Sequence, residues 1–117
     1  MPDSIIRRIE AIVASRRDES VSAEKSYVSS LLQKGVPKIG SKIIEEAAEV
    51  VEAAGESGVE GREHLVREVA DLLFHTLVLL GHAHIEFAEV EAELIRRFGV
   101  SGHDEKAART GPKKPND

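Results

Sequence analysis

The sequence predicts an all-α fold, a small helical bundle with a central antiparallel helix pair that is completed by dimerisation. Three observations carry this expectation. Apolar residues recur three and four positions apart in five successive segments. No run alternates apolar and polar residues with the period of two that a half-buried strand shows. Glycine and proline punctuate the pattern at Gly35, Pro37, Gly55, Gly58, Gly61, Gly81 and Gly99.

The first segment places Ile5, Ile6, Ile9, Ile12 and Val13 at helical spacing, with Arg7, Arg8 and Glu10 on the other side and Asp3 or Ser4 as N-cap. Residues 14–21 lose that periodicity and are expected to form a polar connection. A shorter helix carries Tyr27, Val28, Leu31 and Leu32 and ends at Gly35. Pro37 suits the first turn of a third helix, where its missing N–H costs nothing, and this helix is expected over residues 37–55. The three glycines from 55 to 61 mark a turn. A fourth helix runs from Glu63 through Leu65, Val69, Leu72, Leu73, Leu77 and Leu80 to Gly81, with an apolar face broad enough to be central. The last carries Phe87, Val90, Leu94, Ile95 and Phe98, with Arg96 and Arg97 placed to complement the helix dipole before Gly99. We expect one domain over residues 1–109 and a disordered Pro- and Lys-bearing tail over 110–117.

Composition narrows the function. A chain of 117 residues buries a modest fraction of its surface, so a homodimer is expected. The absence of cysteine excludes disulfides, zinc ribbons and a thiol nucleophile. No apolar run approaches the roughly 20 residues needed to span a bilayer, and no secretory leader opens the chain, so a soluble, cytoplasmic protein is expected. A net charge of −5 argues against a nucleic-acid partner, which would demand a basic face. It does not exclude an anionic nucleotide bridged by a divalent cation.

That cation has candidate ligands. The third helix carries Glu45, Glu46 and Glu49, and the fourth carries Glu68 and Asp71, each set spaced to share one helix face. If the two helices pack antiparallel, residues with equal index midpoints oppose each other, which pairs Glu49 with Glu68 and Glu46 with Asp71. The common midpoint falls beside Gly58, so turn and acid spacing agree. Four clustered carboxylates repel one another unless protons or a cation intervene. Hard oxygen ligands favour Mg²⁺, with Mn²⁺ as a substitute, and such an ion commonly bridges substrate phosphates. The chemistry implied is phosphoryl transfer to water, with a spare carboxylate to take the proton. Any one of these acids taken alone is more simply a solvated glutamate on a helix, and only the set argues for a site.

These motifs resemble the all-α nucleoside triphosphate pyrophosphohydrolase superfamily. Ser26-Tyr27, Lys38-Ile39, Lys42, Asp71-Leu72-Leu73-Phe74-His75 and Arg97-Phe98-Gly99-Val100-Ser101-Gly102 further resemble its phosphoribosyl-ATP pyrophosphatase branch. The resemblance implies hydrolysis of phosphoribosyl-ATP to phosphoribosyl-AMP and pyrophosphate, the second step of histidine biosynthesis. By it, Glu46, Glu49, Glu68 and Asp71 hold Mg²⁺, and Glu45 and Glu49 are the catalytic carboxylates. Glu45 either binds a second metal or orients water. Lys38 and Lys42 meet the triphosphate, and Lys106 and Arg109 reach a substrate phosphate or are solvated. Gly40-Ser41 and Ile44 depart from the branch's pattern, which bears on phosphate contacts and not on the metal ligands. The product would pass to a separate phosphoribosyl-AMP cyclohydrolase.

Other residues promise less. His75, one turn after Asp71, could orient that carboxylate but is read first as a satisfied core histidine. His82 and His84 are read as a surface turn, and a di-iron site fails because no acid here stands in an E-x-x-H pair. Two rival functions remain at this level: a house-cleaning nucleotide pyrophosphatase with the same metal chemistry, and a non-enzymatic helical dimerisation module.

Overall fold

A computed structural model describes residues 4–18 and 26–99. Five helices follow in order: α1 (Ile5–Asp18), α2 (Tyr27–Lys34), α3 (Val36–Ala54), α4 (Gly58–His82) and α5 (Phe87–Phe98). No strand occurs among the described residues. The all-α expectation holds. Helices α1–α4 belong to one compact unit ending at Ile85, and α5 belongs to a second that begins at Glu86.

Local chemistry sets the boundaries. Ser4 Oγ accepts from the Arg7 amide at 3.1 Å and opens α1, and Ser26 Oγ accepts from the Ser29 amide at 3.0 Å and opens α2. Gly35 joins α2 directly to α3, with Pro37 in the first turn of the latter as expected. Two boundaries differ from the sequence reading. Helix α1 continues through Asp18, five residues past its last apolar position. The extension has a polar anchor instead: Arg17 Nη1 donates to the Gly81 carbonyl at 2.7 Å, tying the last turn of α1 to the end of α4. Helix α4 starts at Gly58, not Glu63. Gly58 adopts a φ of 80°, and Gly61 packs so tightly that a Cβ there would lie 2.8 Å from the Glu56 backbone. Only Gly55–Ser57 therefore form the turn, and Gly61 is a contact residue inside a helix.

Helix α4 packs against α1, α2 and α3, most extensively against α3. The core is Val13, Val28, Leu31, Ile39 and Val78, flanked by Ile9, Leu32, Ile43, Phe74 and Leu79. Each fully buried aliphatic side chain contributes about 1.5–3 kcal/mol. Gly81 lets α1 approach: a Cβ there would collide with Val13 Cγ1. The apolar faces are not all buried, however. Ile44 and Val51 on α3, and Val66, Val69 and Leu73 on α4, stay between 38% and 73% exposed. Val69, part of the apolar face expected to be central, is thus turned outward, as is Val51 beside the acids of α3. Val51 stands two residues from Glu49, a rotation of about 200°, and Val69 one residue from Glu68, about 100°, so neither shares the face of its paired acid.

Candidate active site on the central hairpin

Helices α3 and α4 run antiparallel across the Gly55–Ser57 turn, and this brings the acids of one opposite those of the other. Glu49 and Glu68 form the expected pair and share a side-chain hydrogen bond. Two carboxylates in contact need a proton or a cation between them, and the bond to Glu68 holds the Glu49 carboxyl above its usual range, with the Glu68 charge, burial and Glu45 adding to the effect. His64, one turn before Glu68, lies between two acids: its Nδ1 is 3.0 Å from Glu56 Oε1 and its Nε2 3.3 Å from Glu68 Oε2. The hydrogen bond to Glu56 is the main reason its pKa is raised.

Glu46 behaves differently. It is 7% exposed, and its Oε1 lies 2.6 Å from Nδ1 of His75, itself 4% exposed. The same nitrogen is 3.0 Å from the Asp71 carbonyl, and His75 Nε2 is 2.7 Å from the Tyr27 hydroxyl. His75 therefore reaches Asp71 through its backbone and not through its carboxylate. The offset from the simple midpoint pairing follows from side-chain direction. Helical side chains lean toward the N-terminus of their own helix, so on antiparallel helices Glu46 leans along α4 toward its C-terminus while His75 leans back to meet it.

Tyr27 reports on the neighbourhood. Its phenol is pushed up first by burial, Lys42 opposes the shift, and Glu46, Asp71 and Glu45 add to it. Lys42, Glu45, Glu46 and Asp71 are thus all close enough to act on one side chain from α2. Lys42 Nζ pairs with Glu45 Oε1 at 3.3 Å, and this bond raises the lysine pKa. Lys38 is exposed one turn before Lys42, and Ser41, at a position that departs from the branch's pattern, spends its hydroxyl on the Lys38 carbonyl at 2.8 Å. Lys106, Arg109 and the 110–117 tail lie outside the described residues. His84 is exposed at a φ of 62° just beyond α4, and His82 is the last residue of that helix.

Among the described residues, no three His, Asp or Glu side chains already converge on one point as a complete ion cage. The donors nonetheless suit a hard divalent cation. Glu68 Oε1 is buried with no hydrogen-bond partner, an expensive state for a carboxylate oxygen, and it belongs to the very residue that pushes the Glu49 carboxyl above its usual range. A cation would satisfy the orphaned oxygen and relieve the repulsion at once.

Sequence reasoning passed over His64, which was legible one helical turn from Glu68. Tyr27, the single tyrosine of the chain, was noted as a helix position and part of a motif, without a role at the site. His75 was weighed as a core histidine or a partner of the Asp71 carboxylate, and its bond to Glu46 had no local signal.

The profile of the phosphoribosyl-ATP pyrophosphohydrolase family matches residues 6–98. The chain is 51% identical to the phosphoribosyl-ATP pyrophosphatase of Geobacter metallireducens, over 92% of this chain and 94% of that one. It is 45% identical to that of Hydrogenovibrio crunogenus, over 94% and 96% of the two chains, and 42% identical to that of Rhodopirellula baltica, over 97% and 94%. With the family profile spanning four-fifths of the sequence and relatives matched nearly end to end, the chain belongs to the phosphoribosyl-ATP pyrophosphohydrolase family.

Proposed function

We propose that this chain hydrolyses phosphoribosyl-ATP to phosphoribosyl-AMP and pyrophosphate, the second step of histidine biosynthesis, at the α3–α4 hairpin. The observation that carries the proposal is the Glu49–Glu68 pair with its orphaned Glu68 oxygen, one turn from Glu45 and the Lys42 bonded to it, in a chain whose relatives are phosphoribosyl-ATP pyrophosphatases. Glu46, Glu49, Glu68 and Asp71 would hold Mg²⁺, or Mn²⁺ in its place. The bound ion supplies charge neutralisation on the triphosphate and lowers the pKa of water.

The side chains of the protein do the rest. Lys42, with Lys38 one turn away, receives the phosphate oxygens, and substrate competes with Glu45 for the Lys42 ammonium. The water oxygen forms a new P–O bond as the bridging P–O bond between the α and β phosphates breaks. Pyrophosphate leaves with the electron pair, and Glu45 or Glu49 takes the proton from water. Lys106 and Arg109 are assigned to a further substrate phosphate.

A homodimer is proposed on the exposed aliphatic stripe of α3 and α4. Ile44 opposes Leu73 and Val51 opposes Val66 in the same midpoint pairing that matches the acids, so the stripe is continuous across both helices. No helix among the described residues is long and apolar enough to cross a membrane. We place the protein in the cytoplasm, with neither nucleic acid nor membrane as partner, handing its product to a separate phosphoribosyl-AMP cyclohydrolase.

The test is pyrophosphate release from phosphoribosyl-ATP and from ATP, each with Mg²⁺ and with excess chelator. Selective, Mg²⁺-dependent release from phosphoribosyl-ATP is expected. Comparable turnover of ATP would make it a house-cleaning pyrophosphatase, and no release from either would remove the hairpin as an active site.

A further inference from the structure

Tyr27, His75 and Glu46 come from three different helices and meet in one chain of hydrogen bonds at 2.7 and 2.6 Å. The direction of that chain can be deduced. The Asp71 carbonyl, 3.0 Å from His75 Nδ1, can only accept, so Nδ1 carries a hydrogen and shares it between the carbonyl and Glu46 Oε1. In the neutral imidazole Nε2 then presents a lone pair, and the Tyr27 hydroxyl donates to it. The Asp71 carbonyl fixes the tautomer, and the Glu46 carboxylate and the Tyr27 hydroxyl both fit it. Tyr27 and Phe74 rings, stacked at 6.3 Å, and the edge-on packing of Phe74 against His75 at 5.0 Å keep the imidazole from turning.

We propose that His75 is a positioning residue for the cation site: it holds the Glu46 carboxylate by one oxygen and leaves the other for the ion, while the Asp71 carbonyl sets its tautomer and the Tyr27 hydroxyl anchors its far nitrogen. The inference rests on the reading of Glu46 as a cation ligand. A buried histidine serving the core alone would need partners but not this one. Glu46 is the most deeply buried of the acids in the cluster, and a buried carboxylate free to rotate would lose the orientation that ion binding requires.

The experiment measures Mn²⁺ affinity of the full chain by electron paramagnetic resonance, without substrate, for the parent and for His75→Phe, His75→Asn and Tyr27→Phe. Partners of this kind typically set affinity by about 10- to 100-fold, which is the loss expected for His75→Phe. His75→Asn puts an amide N–H near where Nδ1 stands and should recover most of that loss. Tyr27→Phe keeps the ring on an exposed position, so it folds, and should weaken Mn²⁺ by a smaller factor. Nitrogen-15 spectra of the parent should show His75 as the Nδ1–H tautomer. A His75→Phe protein that binds Mn²⁺ as the parent does, whatever its activity, overturns the inference and leaves the site reading standing. So does an Nε2–H tautomer, a readout that survives even if His75→Phe does not fold. A parent that binds no Mn²⁺ overturns both.

Discussion

The Glu68 carboxyl beside Glu49 holds the Glu49 carboxyl above its usual range, and this closeness has opposite consequences for turnover and for stability. Glu49→Gln keeps the shape and removes the charge, so pyrophosphate release should fall by about 10²- to 10⁴-fold while the circular dichroism of the helices is unchanged. Retained turnover would take Glu49 out of the site. Glu68→Gln should raise the melting temperature of the cation-free protein by a few degrees, since an amide can donate to Glu49 without repelling it. It should also abolish any rise in melting temperature on adding Mg²⁺, which in the parent follows from ligand binding to the native state alone. Glu93 on α5 titrates in the other direction. Arg96 and Arg97 donate to it, Arg96 at 2.6 Å, and hold its pKa at about 2. A lowered folded-state pKa adds stability that is present above the unfolded value near 4.3 and is lost as pH falls toward the folded one. The carboxyl resonance of Glu93 should therefore move with a midpoint near 2, and a midpoint above 4 would mean that the arginine clasp does not form in solution. At this scale the acids were legible because their spacing is local. His75 was not, because its partner Glu46 is set by how far two side chains lean between helices.

Helix boundaries depended on contacts as much as on propensity. The apolar period of α1 stops at Val13, but Arg17 carries the helix on by bonding the Gly81 carbonyl, a partner on another helix that no sequence window contains. The glycines from 55 to 61 were legible as a break, yet Gly61 serves close packing against Glu56 and lies inside α4. Gly81→Ala tests the contact between α1 and α4. Its methyl would meet Val13, and overpacking of this kind costs about 1–3 kcal/mol, measurable by urea denaturation. Adding Val13→Ala should cost less in that background than in the parent, because the new methyl occupies part of the space left behind. Additive losses would show that the two residues do not touch.

The whole molecule presents two kinds of surface on one hairpin: paired acids on one side and the aliphatics Ile44, Val51, Val66, Val69 and Leu73 on another. If the aliphatic stripe is the contact with a second copy, the melting temperature should rise with protein concentration, and Val51→Glu with Val66→Glu should halve the mass in sedimentation equilibrium. An unchanged mass would locate any dimer contact elsewhere. The sequence by itself determined the helical class, the order of the helices, the position of the central turn and the pairing of Glu49 with Glu68, because helical period and antiparallel counting are local arithmetic. Tertiary structure alone decided which apolar residues are buried, that α1 reaches Asp18, and that Glu46 is bonded to His75, which Tyr27 bonds in turn. Those outcomes depend on distances between helices and on the lean of side chains across them, which the period of a single helix does not contain.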